Sequence, residues 1–142
     1  MSREIKFRAW HIKDQIMVDW SLMCQSALNR GDTPFMYHVL SIIGKDHYHV
    51  MQFTGLKDKN GIEIYEGDVL QRTESLPMSS RRKRRMPFGD TPRSVRFRDG
   101  KFVLHKGANK KHMVLDSLSI RYLGLEVIAN VYENDNTIKH TK

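Results

Sequence analysis

The sequence predicts an α+β fold, mostly β, with a mixed N-terminal subdomain and a small barrel in its second half. Three observations carry this. Apolar and polar residues alternate with period two at Ile5–Trp10 and again at His47–Thr54, as half-buried strands require. Phe35–Ile43 is dense in β-branched and aromatic residues, which suit a pleated surface. Asn60-Gly61 and Asp99-Gly100 are the two residue pairs that best tolerate the positive φ angles of a type I′ hairpin turn.

In chain order, Ile5, Phe7 and Ala9 alternate with Lys6, Arg8 and Trp10 in a first strand. Lys13-Asp14-Gln15 reads as a turn and Ile16-Met17-Val18 as the return strand. Asp19 stands where it can cap a helix from about Trp20 to Arg30, with Trp20, Met23, Ala27 and Leu28 as its apolar stripe. Gly31 would sit at the C-terminal cap, although an irregular loop fits the same letters. Phe35–Ile43 and His47–Thr54 then form a second hairpin through Gly44-Lys45-Asp46.

The stretch Gln52–Leu70, QFTGLKDKNGIEIYEGDVL, reads as strand, tight turn, strand, turn, strand. Gly67 lets the chain bend, and Glu66 and Asp68 are expected to keep that bend in water. Strand signals resume at Ser94–Arg98, turn at Asp99-Gly100 and return at Lys101–His105. Met113–Leu115 and Glu126–Tyr132 are the last strands, while Asp116–Leu123 is ambiguous. The second half thus holds about five strands, enough for a small barrel. Residues 134–142 are polar and expected to fray.

Bulk composition bounds the class. A chain of 142 residues with 39% apolar content makes one domain or two tightly joined subdomains. No apolar run approaches the ~20 residues a membrane helix needs, and the first residues carry no signal-peptide pattern. Cys24 is the single cysteine, which excludes an intrachain disulfide and fits a reducing cytoplasm. The net charge of +8 favours an acidic partner.

That charge is localised. Residues 72–93 hold three of the four prolines and seven basic residues against two acids, or +5 of the total. Self-repelling charge and prolines without periodicity predict a mobile loop between two barrel strands. Within it, Arg81, Arg82, Lys83, Arg84 and Arg85 form five consecutive cations, with Phe88 following and Arg93 at the loop's end. Such a run neutralises phosphates and releases their counterions with little sequence preference. A base stacked on Phe88 or Phe97 would complete a single-strand binder. Lys101, Lys106, Lys110 and Lys111 flank it. The bland alternative is a solvated loop with no specific partner.

Other groups offer less. His47-x-His49 places two imidazoles on one strand face, a spacing that can bind metal, but only Asp46 stands near in sequence as a further ligand. Two polar residues on a solvated strand is the favoured reading, and no metal or other cofactor is expected. Cys24 has no local base to activate it. Glu63, Glu66 and Asp68 resemble paired carboxylates of an acid–base site, yet they belong to a structural turn. Trp10 and Trp20 are read as partly buried core. No phosphate loop, nucleophile elbow, His-Glu-x-x-His or Cys-x-x-Cys motif is present, so no catalytic residue is assigned and the chain is not expected to be an enzyme.

The stretch FTGLKDKNGIEIYEGDVL resembles the signature of the YopX family, small proteins carried mainly by bacteriophages and prophages. Lys6–Trp10 resembles the family's opening KFRAW, and LEVIANVYEN at Leu125–Asn134 its closing EVIGNIYEN. Ala129 stands where the family usually has glycine, and the segment between Arg72 and Arg93 looks like an insertion. The resemblance implies a two-part fold: an N-terminal α+β subdomain over residues 1–54 and an SH3-like barrel over 55–134 bearing the insertion, with 135–142 as a tail. It implies no established catalytic residues. The resulting expectation is a non-enzymatic accessory protein of the bacterial host's cytoplasm that binds DNA or RNA through its basic loop. The alternative is a phage–host interaction protein that binds a host protein or a small signalling molecule, or that assembles with itself.

Overall fold

A computed structural model describes residues 4–28, 47–73, 91–107 and 112–133. The chain divides into two compact units, Met1–Phe53 and Thr54–Lys142. The described residues are mostly β, built of antiparallel sheets with two short helices among them.

In the first unit, strand β1 (Phe7–His11) pairs with β2 (Ile16–Val18) in the expected hairpin, Ala9 opposite Val18. Gln15 takes a positive φ of 54° to close the turn. Asp19 caps helix α1 (Trp20–Leu28), its carboxylate accepting from the Leu22 N–H at 2.8 Å. Met23 is buried, and Trp20 lies 6.1 Å from the Phe7 ring. The long strand β3 (Tyr48–Lys57) pairs with the other side of β1, placing Met51 opposite Arg8. Ala9, Met51 and Phe53 are buried there. The expected strand at Phe35–Ile43, its turn at 44–46 and the Gly31 cap lie outside the described residues.

In the second unit, β4 (Glu63–Tyr65) adjoins the end of β3. Strands β5 (Asp68–Arg72), β6 (Arg93–Arg98), β7 (Lys101–His105), β8 (His112–Val114) and β9 (Leu125–Asn130) form a five-stranded sheet ordered β8-β7-β6-β5-β9. The ambiguous stretch before β9 is helix α2 (Ser117–Leu123), and its ends explain why. Asp116 and Ser119 form a reciprocal capping box, and Gly124 closes the helix in the left-handed conformation with φ 58°. Ile120 and Leu123 pack from it onto Ile64, Leu70, Val95, Leu104 and Leu125 to make the core of this unit.

Two turns behave differently from each other. Asp99 and Gly100 both take positive φ, 51° and 75°, as a type I′ turn demands. At Asn60-Gly61 only Gly61 does, at 83°. That loop is organised by Asp58, whose Oδ1 accepts from the Asn60 and Ile62 N–H groups while its Oδ2 accepts from Val127 N–H in β9. A side chain thus replaces the backbone geometry expected from the dipeptide. Asp68 also departs from expectation. It is 1% exposed rather than in water, because Tyr65 N–H and Asn130 Nδ2 both donate to its carboxylate.

Candidate nucleic-acid interface

The register of β6, β7 and β8 decides which cations gather. Directly opposed residues in an antiparallel pair share a face. Arg98 opposes Lys101, Arg96 opposes Val103, Ser94 opposes His105, and His105 opposes His112. Arg96, Arg98, Lys101, His105 and His112 therefore stand on one face of the β6–β7–β8 sheet. All but the half-buried His105 are exposed. Neighbouring groups are separated by roughly 5 Å across strands and 7 Å along them, the spacings of a pleated sheet.

The opposite face is the core. Val95, Leu104 and Phe102 are buried there. Phe97 belongs to that side by alternation, yet at the hairpin tip it overhangs the core and is 50% exposed. Its ring meets Phe102 edge-on, centroids 5.1 Å apart, which fixes its orientation. The hairpin tip thus offers an oriented aromatic ring on the side of the sheet opposite the cations.

The electrostatics of the face are internally repulsive. Burial first, then Arg96, Arg98 and His112, hold the His105 pKa below its ordinary value. Arg96 also reaches the neighbourhood of Tyr132, whose phenol is pushed up by burial and by Glu66 and drawn down by Arg96.

Of the residues expected to contact nucleic acid, Lys101 is exposed on this face. Arg93 is not available: it is 4% exposed and opposes Leu70, on the same side as Val95. Burial lowers its pKa from the usual arginine value. Arg81, Arg82, Lys83, Arg84, Arg85 and Phe88 lie outside the described residues, as do Lys110 and Lys111. Arg96, Arg98, His105 and His112 were not expected. Arg96-x-Arg98 shows the strand period in the sequence, but joining the histidines to it needs the register.

The remaining candidates lie elsewhere in the fold. Glu63 accepts from the Tyr65 hydroxyl at 2.9 Å, and Asp68 is held as described above. His47 and His49 are exposed at the start of β3. Among the described residues no three His, Cys, Asp or Glu come together as a metal site, and no helix is long and apolar enough to cross a membrane. A groove of about 400 Å³ runs between Gly55–Lys59 and α2, with Lys57 and Arg121 at its rim. The Asp58 carboxylate in it is occupied by three N–H groups, and Lys59 bridges to Glu126 and Thr73.

The family model for YopX protein matches residues 6–139, nearly the whole chain. The chain belongs to the YopX family. Among solved structures it is similar to protein EF1440 from Enterococcus faecalis, at 24% identity and a TM-score of 0.59. That match covers 95% of this chain and 98% of the other, and it speaks for a shared fold alone. No curated protein matches the chain.

Proposed function

We propose that this YopX-family protein is a non-enzymatic accessory protein of a phage or prophage setting that binds single-stranded nucleic acid. The observation that carries it is the gathering of Arg96, Arg98, Lys101, His105 and His112 on one sheet face, with exposed Phe97 at the hairpin tip on the opposite side. Cations on a rigid sheet neutralise successive phosphates, and an oriented aromatic ring stacks a base without reading its identity. We read the second unit as the SH3-like barrel that the family resemblance implies, a platform on which strand faces and loops serve recognition. The Arg81–Arg85 run precedes β6 in the sequence and adds five consecutive cations to the chain's basic character. Buried Asp58 and Asp68 are consumed by hydrogen bonds that hold turns, which favours a binding role over an acid–base one.

Fluorescence anisotropy of labelled single- and double-stranded oligonucleotides over a salt series tests this. With three or four phosphates neutralised, the log–log slope of affinity against salt is about −2 to −3 for a single strand. The R96A/R98A double variant should weaken binding at least about tenfold and flatten that slope by roughly 1 to 1.5. F97A should cost roughly 1–3 kcal/mol with the slope unchanged. Deleting residues 79–86 reports the contribution of the basic run. If wild-type protein shows no binding even at low salt, the reading is wrong, and a partner recovered from nuclease-treated host lysate becomes the target.

A further inference from the structure

His105 sits at the centre of the basic face. His112 opposes it from β8 and Ser94 from β6. The charged groups that bear on it are Arg96 and Arg98 from β6 and His112 from β8. Opposed residues have their side-chain origins about 5 Å apart, so one phosphate can reach both imidazoles and Arg96 together. Among the described residues, the charged groups acting on this imidazole are all basic.

We propose that His105 makes anion binding at this face proton-coupled, so that the site takes up a proton as it takes up a phosphodiester. This deepens the nucleic-acid reading above and rests on it. In the free protein, burial first and then Arg96, Arg98 and His112 hold the His105 pKa below its ordinary value, which favours the neutral imidazole near pH 7. A phosphate lying across Arg96, His105 and His112 cancels that repulsion and adds an attraction, which raises the His105 pKa in the complex. By reciprocity, whatever tightens the proton is bound more tightly by the protonated form. Above both pKa values His105 is neutral with and without ligand, and the arginines and Lys101 carry the binding. As the pH falls through the complex's pKa towards the lower pKa of the free protein, affinity rises. Below both it levels off. Each unit of separation between the two pKa values is tenfold in affinity.

The test is anisotropy with labelled oligothymidylate, whose bases do not titrate in this range, from pH 8 to about 5.5 at constant ionic strength. The readout is the ratio of affinities at the two ends, not either value alone. Wild-type protein should bind roughly five- to tenfold tighter at the acid end. The ratio should fall close to one in His105→Gln, with circular dichroism confirming that the variant is folded at both pH values. Titration calorimetry in two buffers of different ionisation enthalpy should show net proton uptake that His105→Gln lacks. Binding that is equally strong at both pH values overturns the coupling and leaves the nucleic-acid reading standing. A ratio lost in His112→Gln but kept in His105→Gln assigns the proton elsewhere and also overturns it. No binding at any pH removes the nucleic-acid reading itself.

Discussion

Replacing Asp58 with alanine should destabilise the second unit by about 3–5 kcal/mol, a large part of the stability of a domain this size. The side chain is 5% exposed and accepts three backbone N–H groups at 2.8, 2.9 and 3.0 Å. Two belong to its own turn, and the third, from Val127, ties that turn to strand β9. Hydrogen bonds to a charged acceptor are worth more than neutral ones, and removing the acceptor leaves buried donors unsatisfied. Asparagine is the informative second variant. It keeps one carbonyl oxygen but turns an NH2 group towards either Val127 N–H or the turn's own donors, so it should lose roughly half as much. Urea unfolding followed by far-UV circular dichroism measures both, because Trp10 and Trp20 lie in the first unit and report on it alone. A general acid or base would behave in the opposite way, its removal leaving the unfolding midpoint unchanged. That result would show that Asp58 is not the keystone of the turn.

The same residue shows where sequence reading stopped. The order of strand, turn, strand through Gln52–Leu70 follows from alternation and from glycine, both local properties. Asp99-Gly100 takes the backbone its letters imply, since nothing distant acts on the hairpin tip. Asn60-Gly61 does not, because the neighbouring Asp58 supplies acceptors that a dipeptide rule cannot include. Asp68 was expected in water as a charged neighbour of Gly67 in the turn. Asn130, 62 residues away, buries and satisfies it instead. Long-range pairing of this kind leaves no local trace.

The binding face divides along the same line. Strand alternation from Arg93 places it with Val95 and Phe97, apart from Arg96 and Arg98. The burial of Arg93 was therefore legible once the strand was assigned, and grouping it with the basic run by sequence proximity obscured this. The position of His105 against Arg96, Arg98 and His112 depends on three strands in register. A histidine in a list of basic residues carries no such information. Residues 106–111 separate His105 from His112 in sequence, and sheet pairing makes them neighbours.

Gly67→Ala should destabilise the second unit by about 2–4 kcal/mol, and Gly55→Ala by only about 1–2. Both glycines have φ near +84°, so the strain an L side chain meets in the backbone is the same. Their surroundings differ. Nothing lies within 4 Å of a Cβ built at Gly55, whereas one at Gly67 meets Tyr132 Cε2 at 3.2 Å and Asn130 Nδ2 and Val131 Cγ2 at 3.3 Å. The backbone cannot move aside there. Gly67 N–H donates to Val95 O and its carbonyl accepts from Val131 N–H, each at 2.8 Å, so the residue links β6 to the end of β9. Relief must come from the side chains, and the Tyr132 ring makes the shortest of the three contacts. Its phenol, held above the ordinary tyrosine value by burial and by Glu66, should then fall back towards that value in Gly67→Ala and stay raised in Gly55→Ala. Chemical unfolding gives the two stabilities, and an alkaline titration of the ring resonances gives the phenol. Equal losses in the two variants would mean that backbone conformation alone demands glycine at position 67. A larger loss at Gly67, with the Tyr132 shift, means that the Glu66-Gly67-Asp68 turn requires glycine because another strand's side chains already fill the space where a Cβ would stand.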